Sequence, residues 1–427
     1  MMMKKRWTGG VVVLGVAASG LVGVGAAAAQ PPSGAGAHQN GWTTGWAAAM
    51  QRPAAGFEPN WSEQGFSGQT VRQVVRVTAS GSSARIRLSN QYGASPLKVA
   101  AASIALPGDK AAVRAGSLRR LGFGKGRSVV IPAGGQVTSD AVALPIKDRE
   151  SLTVTLYLPD TTGPATTHLQ GYATSYRAAG DHSGDTSGSA FPTAGAKVTH
   201  SWYYLSGVEV AGAPVRRDTV VALGDSITDG FGAGNDTDRR YPDQLADRLA
   251  AAGRPRPVLN AGIGGGMLLS DSAWFGERFS TRFGRDVLDN PRVRTLILFG
   301  GLNDIGFSEV DLPTYKPNPD RSAAQIITGY RELIRQARAK GIKVIGGTLL
   351  PMKGAEYYNA TSAAKIRQVN TWIRTSGEYD AVVDFNKAVV DPADPEKLRD
   401  GYDSGDHKHP NAAGYRAMAQ AIDTGAV

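Results

Sequence analysis

The 427-residue chain contains no cysteine. That excludes a disulfide framework, a thiolate zinc or iron–sulfur site and a cysteine nucleophile. Histidine is also scarce: six in all, of which only His407 and His409 follow residue 213. Any base or metal chemistry in the second half must draw on those two. The formal charge is +10, but the basic residues do not cluster. Lys4-Lys5-Arg6, Arg119-Arg120 and Arg216-Arg217 are too short for a binding stripe, and no recognition helix or stacking-aromatic pattern accompanies them, so no nucleic-acid partner is expected. What remains is a composition of 41% hydrophobic and 20% charged residues, that of a folded globular protein with room for two or three domains.

Long apolar runs are confined to the start of the chain. Lys4-Lys5-Arg6 reads as a cationic leader region, Val11 to Val24 as an apolar core rich in small residues, and Ala27-Ala28-Ala29 as a cleavage site. Residues 1–29 are therefore expected to be a secretory signal peptide. A retained N-terminal anchor is the alternative, although the run is short for a membrane span. The mature protein is expected to be secreted, without a stable membrane anchor, and monomeric.

Residues 40–212 carry a period-two pattern. Ser151 to Leu158 alternates strictly, which predicts one face inward and one toward water. Val71–Val77 and Arg85–Leu88 alternate similarly, and strand candidates recur near 96–106, 127–131, 139–146, 168–176 and 198–210. Turn clusters such as Asn90-Gln91-Tyr92-Gly93 separate them. Short strands without helices predict an all-β sandwich, jelly-roll-like, with residues 178–195 as a surface loop. Trp61, Tyr92 and Tyr172 are its candidate glycan-stacking aromatics, or ordinary packing residues.

From residue 216 to 427 the pattern changes to alternating apolar strands and amphipathic helices. Strands are expected at 219–223, 258–260, 295–299, 342–348 and 381–385, with helices at 243–252, 322–339, 362–376 and 411–422. Such a pattern predicts a parallel sheet covered on both faces, with ligands at the carboxyl ends of its strands.

The loops at those ends hold the chemistry. Gly224-Asp225-Ser226-Ile227-Thr228-Asp229-Gly230 places a serine at a strand-to-helix turn, either as a nucleophile needing a base or as a helix N-cap. Asp406-His407-Lys408-His409-Pro410 offers that base. Asp406 lies three residues before His409, close enough in one turn to hold one ring nitrogen while the other faces serine. Pro410 suits the first turn of the following helix. His407 reads as a surface residue. A metal cluster of both histidines with Asp403 and Asp406 lacks a further ligand at suitable spacing. Asn260-Ala261-Gly262-Ile263-Gly264-Gly265 and Gly300-Gly301-Leu302-Asn303-Asp304 are candidate oxyanion donors, or simply turns. A dinucleotide-binding fingerprint fails at Met267.

Jointly, GDSITDG, NAGIGG, GLND and DHKHP resemble the four ordered blocks of the SGNH (GDSL-type) hydrolase superfamily. The resemblance covers residues 218–427 and implies a three-layer αβα, flavodoxin-like fold that hydrolyses acyl esters without cofactor or metal. It implies Ser226 as nucleophile, His409 as base and Asp406 as its orienting acid. The Ser226 N–H, the Gly265 N–H and the Asn303 side chain would form the oxyanion hole, although the glycine run leaves Gly264, Gly265 and Gly266 as competing registers. A β-rich half before such a domain is similar to secreted bacterial esterases of the arylesterase/acylhydrolase kind. The implied substrate is a small-molecule or polysaccharide ester, acetylated carbohydrate included. Acyl transfer to a sugar hydroxyl, or a carbohydrate-binding protein with an inactive enzyme half, are the alternatives. Long segments at 266–290 and 304–321 must shape the pocket, with Trp274, Phe275, Phe283 and Tyr315 as lining or packing residues.

Overall fold

Antiparallel pairing gathers the short strands of the first half into two main sheets in the computed structural model, which describes residues 41–194, 198–212 and 218–427. The expected leader, 1–29, lies outside the described residues. One sheet runs Trp42–Ala47, Leu205–Ala211, Gly81–Ser89, with Gln136–Thr138 and Val142–Ile146 both pairing the last. The other runs Val198–Thr199, Ser175–Ala179, Gln69–Arg76, Ser151–Leu158, Ala101–Ala105, Arg119–Arg120. Val71, Val75, Leu152, Val154 and Leu156 from one meet Ala84, Ile86, Leu88, Val208 and Val210 from the other in a single apolar core. The two sheets therefore form a sandwich.

Strand Ser151–Leu158 departs from its predicted pattern, because its polar face is buried too. Thr153 and Thr155 are each only 2% exposed. The guanidinium of Arg72, on the neighbouring strand, is the reason. It donates to Thr155 Oγ1 and to the carbonyls of Ala111, His182, Asp185 and Ser187, and lies 4.2 Å from the Phe191 ring centre. The segment expected to be a surface loop is thus drawn down as a cover over the sheet.

In the second half the order is Val258–Gly262, Thr219–Gly224, Val293–Phe299, Lys343–Gly347, Ala381–Val383, all parallel. Helices Tyr241–Ala251 and Ala412–Ala421 pack together, as do Ala323–Arg338 and Ala360–Thr375. Their apolar stripes explain this: Leu245 and Leu249 in the first, and Ile326, Tyr330, Leu333 and Ala337 in the third, all face the core. Ser322 and Gln325 close a capping box at the start of Ala323–Arg338. The result is a three-layer αβα domain. The second strand is added on one side of Thr219–Gly224 and the third on its other side, so the loop after this strand lies at the switch point of the sheet.

Residues from Asn40 onward form one compact unit, and the two halves meet through polar contacts as well as apolar ones. Thr78 Oγ1 receives the Val258 N–H at 2.9 Å, joining the sandwich to the edge of the parallel sheet. Among the described residues no helix is long and apolar enough to cross a membrane.

Candidate active site

Strand Thr219–Gly224 ends at Asp225, and helix Ser226–Asp229 begins directly after it. The N-cap is Asp225, not Ser226: Asp225 Oδ1 accepts the Ile227 N–H at 3.0 Å. Capping by the aspartate leaves the serine hydroxyl available. Its Oγ lies 2.7 Å from His409 Nε2, and His409 Nδ1 lies 2.5 Å from Asp406 Oδ2. The structure thus brings Ser226, His409 and Asp406 into one hydrogen-bonded line across 183 positions of sequence. Burial alone would raise the Asp406 pKa. The charge and ring N–H of His409, with the backbone N–H groups of His409 and Lys408, outweigh it and hold the carboxyl well below the usual range. Asp406 therefore stays ionised, and the Phe231 ring sits 4.4 Å from the His409 ring centre.

Pro410 falls before the last helix, not within its first turn. Asn411 is the cap, accepting from Ala413 and Gly414, while Pro410 pairs with Asp403 in an isolated bridge that closes the loop around Asp406. His407 faces away. Its Nδ1 contacts Asp403 Oδ2 at 2.6 Å and its side chain is 46% exposed. Among the described residues no three histidine or carboxylate groups are placed to hold a metal ion.

The glycine loop has one unused donor. The Gly264 N–H goes to Asp229 Oδ2 at 3.0 Å and the Gly266 N–H to the Ile263 carbonyl at 2.9 Å. No acceptor among the described residues takes the Gly265 N–H, which leaves it as the free donor of the three candidate registers. Gly265 has φ +70°, and a Cβ there would fall 2.2 Å from the Phe275 ring. Glycine is required on both counts. Asn303, at the start of helix Leu302–Gly306, is 4% exposed and gives one amide hydrogen to the Gly266 carbonyl at 3.0 Å, with the second hydrogen remaining.

Several residues that organise these loops are given no role by the sequence motifs, even where they lie within them. Asp304 accepts the Leu268 and Leu269 N–H groups, and burial pushes its pKa up to about 6. Burial likewise raises Asp225 to about 7. Arg282 donates to the carbonyls of Gly224 and Ala261 and pairs with Asp286. From the sandwich come His168, Gln170 and Gln51. Trp61 is 3% exposed and stacks on Tyr203, so it packs rather than presenting a platform; Tyr92 is held by Glu277. The exposed ring is instead Phe57, at 57%, lying 5.6 Å from Phe275 and 6.4 Å from Trp274. Phe275 also packs on Phe307 and Tyr315, while Phe283 is fully buried.

A serine hydroxyl on an imidazole, an ionised carboxylate behind it and free N–H donors nearby are the parts needed for acyl transfer. Residues 222–417 match the model of the GDSL-like Lipase/Acylhydrolase family. Residues 222–417 form a GDSL-like lipase/acylhydrolase domain. The family makes it a carboxylic ester hydrolase. Solved structures similar to the chain include a putative lipolytic protein of the G-D-S-L family from Desulfitobacterium hafniense, at 21% identity and TM-score 0.37, covering 49% of this chain and 99% of that one. An acetyl xylan esterase matches at 22% identity and TM-score 0.38, over 48% of this chain and 96% of that one. The acetylxylan esterase Axe2 from Geobacillus stearothermophilus matches at 21% and 0.37, over 48% and 93%. No curated protein matches the chain.

Proposed function

We propose that the protein is a secreted serine esterase that cleaves acyl esters, carbohydrate acetyl groups among them, through an acyl-enzyme on Ser226. The observation that carries the reading is the line Ser226 Oγ to His409 Nε2 at 2.7 Å and His409 Nδ1 to Asp406 Oδ2 at 2.5 Å. Ser226 attacks the ester carbonyl while His409 takes its proton. The Ser226 and Gly265 N–H groups and the Asn303 amide hold the oxyanion. His409 then protonates the leaving alcohol, and water repeats the sequence to release the acid. Asp406 fixes the tautomer of His409 and stabilises the imidazolium.

Support for a carbohydrate or aryl ester comes from Phe57 and Trp274, whose rings beside Phe275 offer an apolar surface next to the Gly265 loop. Secretion is supported by Lys4-Lys5-Arg6 followed by the apolar run and Ala27-Ala28-Ala29. The test is Ser226→Ala assayed on p-nitrophenyl acetate and acetyl-xylan. A loss in kcat of roughly 10⁴-fold or more is expected, because members of such a triad act as a unit. Near-native turnover would overturn the reading. p-Nitrophenyl esters of increasing chain length then measure the acyl size accepted, and an added acceptor alcohol detects transfer.

A further inference from the structure

His168 belongs to the sandwich, on strand Thr167–His168, yet it lies against the motif that carries Ser226. Its Nδ1 is 2.8 Å from the Ala49 carbonyl and its Nε2 is 3.0 Å from Asp229 Oδ1. The other oxygen of that carboxylate, Oδ2, receives the Gly264 N–H at 3.0 Å. Two further sandwich side chains hold the same loop. Gln170 packs so closely on Gly264 that a Cβ there would lie 1.4 Å from its Oε1. Gln51 Nε2 donates to the Phe275 carbonyl at 3.0 Å, and the Phe275 ring covers Gly265.

We infer that His168 is a positioning residue of the esterase site: through Asp229 it fixes the backbone of Gly264, and with it the orientation of the neighbouring Gly265 N–H. The inference rests on the oxyanion reading of Gly265 given above. It assigns the sandwich a part in catalysis beyond any binding of substrate, since the glycine loop is clamped between the two halves. Small displacements of an oxyanion donor have large kinetic effects, because the donor must meet charge that appears only in the transition state.

The partners also fix the proton inventory. A carbonyl oxygen only accepts, so Nδ1 carries hydrogen. Nε2 faces a carboxylate, so a second proton lies between ring and Asp229; without it two lone pairs would oppose each other. Burial disfavours the charged ring, but the charge and hydrogen bond of Asp229 and the Ala49 carbonyl outweigh it and raise the pKa above the ordinary histidine value. The other ionisable groups facing this contact are Arg240, which opposes protonation of the ring and is itself paired with Asp243 and Asp238, Arg76 across the same small cavity, Arg282, and the buried hydroxyls of Tyr172 and Tyr415, the last three facing Asp229. The clamp is therefore closed below the raised pKa and opens as pH rises through it.

The experiment compares native protein, His168→Ala and His168→Gln on p-nitrophenyl acetate from acid to alkaline pH, with melting curves to establish folding. His168→Ala should lose roughly 10- to 10²-fold in kcat with KM little changed. His168→Gln, whose amide can donate to Asp229 but has no proton to lose, should recover most of kcat and should lack the alkaline decline of the native enzyme. A folded His168→Ala with native kcat, or an unchanged alkaline limb in His168→Gln, would overturn the proposal. Should neither variant fold, the histidine ring resonances of the native protein decide: deprotonation of His168 must coincide with the alkaline fall in kcat, and a mismatch refutes it. Ser226→Ala run alongside separates the two ideas, since its retained turnover would remove the oxyanion reading whatever His168 does.

Discussion

Arg72 in the sandwich and Arg282 in the hydrolase half are both fully buried, and both direct most of their hydrogen bonds to backbone carbonyls. Burial pushes Arg72 down to about 10 and lowers Arg282 as well, with Asp286 offsetting part of the effect in the second case. The difference lies in what each fork ties down. Arg72 staples a covering segment onto the outside of a sheet. Arg282 joins the Gly224 and Ala261 carbonyls, the ends of two adjacent strands, one leading to Ser226 and the other to the Gly264–Gly265 turn. The same device thus maintains architecture in one half and sets the separation of the proposed nucleophile and oxyanion donor in the other. A buried guanidinium in this molecule is informative only through the carbonyls it reaches.

That contrast orders the expected effects. After Ser226→Ala, the largest belongs to the residue proposed to meet the reacting oxygen: Asn303→Ala should lower kcat roughly 10²- to 10³-fold through loss of one donor. Its melting temperature should change much less than its activity. An equal loss in both would place Asn303 with the structural residues. Next comes the arginine pair itself. Removing either buried fork leaves carbonyls without donors, so Arg282→Met and Arg72→Met should each lose stability, of order 3–5 kcal/mol in denaturant titrations. They should part in kinetics. Arg282→Met, where folded, should also lose roughly 10-fold or more in kcat as the two strand ends relax. Arg72→Met should retain native kcat per folded molecule. Equal kinetic damage in the two would erase the distinction drawn above.

The parallel sheet, its helices and the Asp406–His409 pair were legible in the sequence because each rests on local signals, whereas the reach from His409 to Ser226 across 183 positions was expected only from the scarcity of histidine and the four ordered blocks. Apolar five-residue strands, i, i+4 stripes and the Asp406–His409 spacing all act within a few positions. The register of the glycine loop was not legible. It depends on the Asp229 carboxylate capturing the Gly264 N–H, a contact between two loops. The buried face of Ser151–Leu158 was misjudged for a related reason. Thr153 and Thr155 alternate like solvent-facing residues, and only the long reach of Arg72 to the covering segment removes them from water. His168 and Gln51 had no motif at all, since their roles arise where the sandwich meets the hydrolase half. Capping at Asp225 could have been read, because aspartate ranks with serine at that position.

The smallest effect supplies the control for burial. His407 stands two residues from His409 in the same loop, and it too pairs with a carboxylate, Asp403, at 2.6 Å. Its side chain is 46% exposed, so water screens the pair and its contribution to stability should be slight. The backbone there has φ +65°, a conformation that asparagine tolerates better than alanine. His407→Asn should therefore keep kcat within about twofold and shift the melting temperature little, as surface substitutions generally do. His407→Ala should cost somewhat more stability through its backbone, with kcat again unchanged. A collapse of kcat in His407→Asn, matching that of His409→Ala, would mean that the wrong imidazole has been assigned as base and that exposure is no guide to function in this loop.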